Sequence, residues 1–411
     1  MRLNSNNSVI LILLGLYPVA AVSSQSALDA IIILISFLWL FMIYKKGYHE
    51  NRLSSTGAEI PLFSYFIVVI LGFIFNASPE APWLNSLVKF TWILNLYILI
   101  YAIRISNLNL NKILKFISIC VLPPTIYSLV SYYHGVDLIT GRENSRITGL
   151  VNSATYHAHG NAVIFVFMTS IYVFVRKRLS LNWQIFCGIS LGLLGLSIFY
   201  TFTRGIWLSL TLSTFIMAFY YNWKKGLRVI LVLAVIFANV YLSSEKVRGR
   251  FIPLTEDQSA IERLNLIKIN FQMWKEYPLL GIGHGENLRR IQEYWNKSTW
   301  NMPKGYVLSH AHNQYVNVLS TTGILGFISF VWFFIFFLNK NFKLLRENSH
   351  VKDSAHYILL FSCFWCQIEF FIACLTDVTF EYAKIRALLI LIWAVVIAVE
   401  LKIKNEKNDV T

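Results

Sequence analysis

Charge is what this sequence has least of. Only 14% of its 411 residues are Asp, Glu, Lys or Arg, and these cluster between long apolar runs. With 56% hydrophobic residues and a mean hydropathy of +0.55, the polar surface is too small to cover a water-soluble domain. Short alternating strands are also missing. Unbroken runs such as Ile324–Leu338 exclude a closed β-barrel, leaving helices as the elements that satisfy their own backbone in lipid. Cysteines are few. Cys120, Cys187, Cys363, Cys366 and Cys374 all fall in predicted spans, away from the polar loops where a disulfide or zinc site is expected. Cys363 and Cys366 have C-x-x-C spacing, but at lipid depth they read as small packing residues. There is no Walker A loop, which excludes ATP-driven export by this chain. No D-x-D-like acidic pair lies in an outside loop, which argues against a metal-bridged sugar-phosphate site. Internal repeats and low-complexity tracts are absent.

What the chain has is apolar runs of about 17–25 residues, the length that crosses about 30 Å of hydrocarbon. Spans are predicted near 8–22, 27–44, 60–76, 86–103, 114–133, 160–175, 183–201, 205–222, 229–243, 313–338, 355–375 and 384–401. The first reads as a retained span in preference to a cleaved signal peptide. A net charge of +15 would suggest nucleic acid in a soluble protein, but here the placement of the charge decides. Lys45, Lys46 and Arg52; Arg104, Lys112 and Lys115; Arg176–Arg178; Lys224, Lys225 and Arg228; and Lys340, Lys343, Arg346 and Lys352 fall in alternate loops, with Lys402, Lys404 and Lys407 in the tail. The positive-inside rule then places both termini in the cytoplasm of a bacterial-type inner membrane and requires an even number of spans. The expected fold is an all-α polytopic membrane protein. Residues 1–243 form a nine-span bundle, 244–312 a large outside loop, and 313–411 a three-span bundle with a cytoplasmic tail.

Cations on the disfavoured side call for a partner. The loop 244–312 holds ten Lys and Arg against seven Asp and Glu. Arg142 and Arg146 lie in a second outside loop, Arg204, Lys384 and Arg386 at the outer interface, and Lys89 just inside the fourth span. An anionic substrate at the outer leaflet would hold them; anionic lipid head groups are the plainer alternative. In the long loop, Ile261, Leu264, Ile267, Phe271 and Trp274 recur at helical spacing and predict an amphipathic helix on or beside the membrane, ended by Pro278 and Gly281.

Three constellations stand out. In Thr201–Trp207, Arg204 offers a planar fork of donors suited to phosphate, against the alternative of a snorkelling interfacial arginine. Arg263 borders the apolar stripe of the loop helix, where a solvated surface charge is equally ordinary. His310 and His312 sit where the loop re-enters the membrane, and a histidine there is a base near neutral pH or a simple cap. Two H-A-H triplets, His157–His159 and His310–His312, with His284 between them, suggest a metal only weakly, because no carboxylate or cysteine cluster accompanies them. Glu369 is an acid within a span, read as a proton-relay group or a partner for Lys89. Asp377, near the outer end of its span, is read as orienting a cation.

Taken together, Arg204 in T-R-G-I-W, Arg263–Leu264, His312–Asn313 and then Gly323 and Gly326 resemble the O-antigen ligase family, within the wider ligase and polymerase superfamily. The resemblance covers topology and loop placement over most of the chain. Each motif is short; their order and spacing carry the weight. It implies a GT-C-like fold and a metal-independent, inverting glycosyltransferase without a cofactor. Such an enzyme moves O-antigen from undecaprenyl pyrophosphate to the lipid A-core at the periplasmic face. Arg204 and Arg263 would stabilise the pyrophosphate and His312 would act as general base. His310 is a second candidate base or substrate ligand. Asn313 and Asp377 are further substrate-binding candidates, and Arg142 and Arg146, or Arg289 and Arg290, would hold core phosphates. The expected partners are the lipid-linked donor, the lipid A-core acceptor and inner-membrane lipid. The polymerase is the alternative. A transporter is disfavoured because only one span, at Pro123 and Pro124, is expected to break.

Overall fold

In the computed structural model, residues 5–47, 53–76, 87–106, 109–224, 245–249, 257–296 and 310–408 are described, with a few positions between 227 and 242. Thirteen helices carry the architecture: α1 Ser5–Ser23, α2 Gln25–Lys46, α3 Glu59–Phe75, α4 Trp92–Ile105, α5 Leu110–Tyr133, α6 Ala154–Val175, α7 Leu181–Phe199, α8 Arg204–Tyr221, α9 Gln258–Glu276, α10 Asn287–Asn296, α11 Gln314–Glu347, α12 Ala355–Ala373 and α13 Ala383–Asn408. Eleven of them fall on the predicted spans. The remaining expected span, the ninth, at 229–243, lies mostly outside the described residues. Among the described residues, six helices, α2, α5, α6, α7, α11 and α12, are long and apolar enough to cross a membrane on length and composition alone. The chain is a multi-pass, all-helical membrane protein.

The reason for the bundle is visible in which residues are hidden. α13 is buried nearly all round from Ile385 to Val399, as expected for a helix apolar on every face, and α4, α6 and α12 enclose it. Trp393 stacks on Phe337 of α11 with ring centroids 4.3 Å apart. Peripheral helices instead turn large apolar residues outward, Ile33, Leu34, Phe37, Leu40 and Phe41 on α2 among them. Such a surface is stable only against lipid tails. At one end, Lys340 of α11 and Glu400 of α13 approach to 2.7 Å.

Two expectations fail in instructive ways. Pro123 and Pro124 do not break their span; α5 runs through both. The carbonyls that lose a donor to the prolines are those of Ile119 and Cys120; the Thr125 and Ser128 hydroxyls donate instead to the Val121 and Pro124 carbonyls, tying the following turn to the helix. The break falls in α11, at Gly323 (φ 66°). The chain that follows α9 fills it: Ile282 and Gly283 N–H donate to the Ser320 and Thr321 carbonyls, and Ile324 and Leu325 N–H donate to the Pro278 and Leu279 carbonyls. Gly281 (φ 69°) and Gly323 are the residues at this crossing, and a Cβ on either would run into the other segment's backbone. The pairing expected between Glu369 and Lys89 is also absent. Glu369 accepts from Ser209 Oγ at 2.8 Å, joining α12 to α8.

α9 is the predicted loop helix, but with a different buried face. Leu266, Ile269, Asn270 and Met273 point inward, while Leu264 and Phe271 are exposed. The helix has two apolar stripes, and tertiary packing selects the one that meets α10 and α11. Leu266, Ile269, Met273, Ile282, Ile291, Tyr294 and Trp295 form a small core of their own. Beneath it, Asn287 Nδ2 donates to Asn270 Oδ1 (2.8 Å) and Asn317 Oδ1 (3.0 Å), fastening α9, α10 and α11 together.

Candidate active site

The site is assembled where α11 begins. Asn313 caps the helix, its Oδ1 accepting from Val316 N–H (3.1 Å), and its Nδ2 donates to the Leu375 carbonyl (2.9 Å). Gln314 N–H donates to the Cys374 carbonyl, and Gln314 Oε1 accepts from Phe380 N–H. These bonds stitch the 374–382 turn between α12 and α13 against the start of α11. They place Asp377 beside His312.

Asp377 is 2% exposed and is the hub of the cluster. His312 Nδ1 lies 3.5 Å from its Oδ1, and His159 Nε2 of α6 lies 3.9 Å from its Oδ2. Tyr382 donates its hydroxyl to Oδ1 at 2.9 Å. Burial on its own would raise this carboxyl, but the hydrogen bond from His312 and the surrounding histidines hold it well below the usual carboxylate range.

The bonding of His310 settles its tautomer. Its Nδ1 accepts from His312 N–H (3.3 Å), so the proton is on Nε2, which donates to Tyr382 Oη (3.2 Å). A ring of contacts results, from His312 N–H through His310 and Tyr382 to Asp377, whose Oδ1 comes within 3.5 Å of His312 Nδ1. Burial, reinforced by the neighbouring His312, pushes the His310 pKa down to about 4, so its imidazole stays neutral near pH 7. His312 itself has φ 48°, a conformation disfavoured for a residue with a Cβ. Strain of this kind persists only where the surroundings over-determine it.

The arginines arrive from α8 and α9. Arg263 donates through Nη1 to the carbonyl of Thr376, the neighbour of Asp377 (3.2 Å). Arg204, the first residue of α8, ion-pairs with Asp257 and donates to Ser259 Oγ (2.9 Å). Asp257 is the N-cap of α9, so Arg204 is anchored to the helix bearing Arg263. The next residue, Gly205, packs on Thr376 with no room for a Cβ. Arg146 donates to Thr203 Oγ1 (3.2 Å), one residue before Arg204. Phe202 in the same turn is another positive-φ residue (51°).

Of the residues singled out in the sequence, Arg204, Arg263, His310, His312, Asn313 and Asp377 therefore converge, and Arg146 stands at their edge. Arg142, Arg289 and Arg290 are bonded elsewhere or exposed. Arg142 is on the surface, Arg289 pairs with Glu286 at 3.5 Å, and Arg290 lies over the Tyr277 ring. The reading that no carboxylate accompanies the H-A-H triplets is corrected, since Asp377 lies among His159, His310 and His312. His157 is not part of this group; it bonds Ser197 Oγ at 2.6 Å. His310, His312 and Asp377 bring ligand atoms within 4.8 Å of one another, a spacing open to a metal ion. The donor set fits poorly, because both ring nitrogens of His310 already serve protein hydrogen bonds. Asp257, Thr376 and Tyr382 were missed, and His159 was noted only as a member of an H-A-H triplet. Each reaches the site only through long-range packing.

The fold defines a multi-pass membrane protein in which Arg263 reaches the carbonyl beside Asp377 and Arg204 is anchored to the cap of the helix that carries Arg263. Residues 189–331 match the family described as O-antigen ligase, a stretch that spans Arg204, Arg263 and His312. The chain is also 23% identical over 217 residues to a ComP-specific O-oligosaccharyltransferase of Acinetobacter baylyi; the match covers 51% of this chain and 37% of that protein's length. Both likenesses point to one kind of chemistry, glycosyl transfer by a membrane enzyme.

Proposed function

We propose that this protein is an O-antigen ligase of the bacterial inner membrane, with a GT-C-like bundle and cytoplasmic termini. It transfers a glycan from undecaprenyl pyrophosphate to the lipid A-core at the periplasmic face. The observation that carries the reading is the meeting of Arg263, Arg204 and His312 around Thr376 and Asp377.

The chemistry follows from those positions. His312 Nδ1 faces Asp377, which leaves Nε2 for the acceptor, and the side chain is 23% exposed. Nε2 takes the proton of the acceptor hydroxyl as that oxygen attacks the anomeric carbon. The bond from that carbon to the pyrophosphate oxygen breaks, and the leaving oxygen keeps the electron pair. Arg263 and Arg204 stabilise the charge as it develops. Attack opposite the leaving group inverts the anomeric centre. The proton then passes from imidazolium to water. No step calls on a metal or a nucleotide. Asp377 fixes the tautomer of His312 and stabilises the imidazolium, the part an aspartate plays beside a catalytic histidine elsewhere.

The test is transfer by purified protein supplied with undecaprenyl-pyrophosphate glycan and rough lipopolysaccharide, without nucleotide or metal. Glycan on the lipid A-core establishes the ligase. Lengthening on the undecaprenyl carrier instead means a polymerase. A protein acceptor is a second reading, favoured by the name of the Acinetobacter relative, and transfer only to a protein hydroxyl would replace the ligase reading with it.

A further inference from the structure

A cavity of about 210 Å³ adjoins the Asp377 cluster. It is lined by Gln25 at the start of α2, Val151, Tyr156 at the start of α6, and Glu381, Tyr382 and Lys384 leading into α13. None of Arg146, Arg204 or Arg263 is in its wall. Its volume is that of roughly seven liquid waters, room for one sugar ring.

The wall has the chemistry of a polyol site. The Tyr156 and Tyr382 rings, with centroids 4.0 Å apart, present aromatic surface for the C–H face of a ring. Gln25 commits its Nε2 to Asp29 (2.8 Å), leaving Oε1 to accept from a hydroxyl. Glu381 adds carboxylate acceptors and Lys384 a donor. Glu381 is held ionised: burial opposes this, but His284, Lys89 and Arg386 draw its pKa down to about 2. A fixed carboxylate repels pyrophosphate, whose place is with the arginines, and accepts from neutral hydroxyls. Tyr382 links the two regions, since its ring lines the cavity and its hydroxyl bonds Asp377.

We propose that this cavity is the subsite for the terminal sugar ring of the acceptor glycan, holding it so that one hydroxyl reaches His312. The inference rests on the ligase reading and narrows it, because an acceptor seated here is a saccharide and not a serine of a protein.

The experiment uses the full-length protein in lipid nanodiscs and core oligosaccharide released by mild acid from rough lipopolysaccharide of the same host. Binding is read by saturation-transfer NMR and titration. The wild type binds, and Gln25→Ala and Tyr156→Ala, checked for an unchanged elution profile, each weaken binding about tenfold or more. Glu381→Gln does the same if its contacts with His284 and Arg386 survive, and the other two variants carry the test if they do not. In the transfer assay these variants raise KM for the acceptor and leave KM for the lipid-linked donor unchanged. Absence of binding by the wild type, or wild-type affinity and acceptor KM in Gln25→Ala and Tyr156→Ala, overturns the subsite. If the subsite binds core oligosaccharide as described but no transfer to lipopolysaccharide occurs, the ligase reading falls and the saccharide site stands.

Discussion

Asp257 fastens Arg204 to the first turn of the helix that carries Arg263. One carboxylate thereby sets the spacing of the two guanidinium groups, although they come from opposite sides of a long stretch of chain. It also caps α9 by accepting from Ser259 N–H.

Asp257→Ala is expected to raise KM for the lipid-linked donor about tenfold, even though it removes a negative charge from the neighbourhood of an anionic substrate. Loss of the cap alone costs about 1 kcal/mol of helix stability. A double-mutant cycle with Arg204→Lys separates the two effects. Coupling above about 0.5 kcal/mol in transition-state binding supports the anchoring role, and strict additivity refutes it.

His312→Ala should lower the transfer rate by about 10²- to 10⁴-fold while the protein inserts and elutes normally. Asp377→Asn should fall in the same range, with Tyr382→Phe milder. His310→Gln should keep more activity than His312→Ala, because both its nitrogens serve the ring that holds His312. Greater loss from His310→Gln than from His312→Ala would move the base to His310.

Arg263→Lys should be poorly tolerated. One nitrogen of the guanidinium is spent on the Thr376 carbonyl, and a lysine cannot make that bond and still present a fork to phosphate. Kinetics unchanged from the wild type would reduce Arg263 to a positioned surface charge.

Acid should destabilise the protein in a defined window. His310 titrates near 6.5 when unfolded and at about 4 when folded. Between those values the unfolded chain holds the extra proton, so stability is lost as pH falls from about 6.5 towards 4. Glu381, lowered from 4.5 to about 2, loses stability in the same direction at lower pH. The melting temperature should therefore drop below pH 6.5, with a shallower slope in His310→Gln. Equal slopes would mean that other groups dominate.

How much of this was legible in the sequence depends on the distance over which each feature is decided. Spans come from runs of apolar residues, a local property, and the helices fall on them. Arg204 and His312 could be picked out because each stands at the edge of such a run, and Arg263 because it borders the apolar stripe of the loop helix. The inward face of α9 could not be read, since two apolar stripes are present and only the partners α10 and α11 choose between them. Nor could the break in α11. A proline advertises a missing donor, and the sequence drew attention to Pro123 and Pro124, yet that helix runs through both. Gly323 breaks its helix because another segment supplies the backbone partners, and nothing near Gly323 announces that segment. Tyr382 belongs to the same case, recognisable only once Asp377 is placed, as does the choice of His159 over His157 within their triplet.

Gly281→Ala and Gly323→Ala should each cost several kcal/mol, more than the roughly 1 kcal/mol of an ordinary substitution, because an added Cβ meets backbone on the facing segment and the φ values are positive. Thermal melting in detergent and cleavage by added protease in the 277–285 segment would report it. Parental melting in both variants would show that the crossing relaxes easily.

That crossing also constrains biogenesis. The carbonyls of Ser320 and Thr321 have no helical partner of their own, and they receive one only from residues synthesised before α11. If α11 entered the bilayer first, Ile324 and Leu325 would bond those carbonyls as in a regular helix, because hydrocarbon offers them no other partner. The segment around Ile282 must then displace those bonds pair for pair, which makes the order of synthesis part of how this helix acquires its shape.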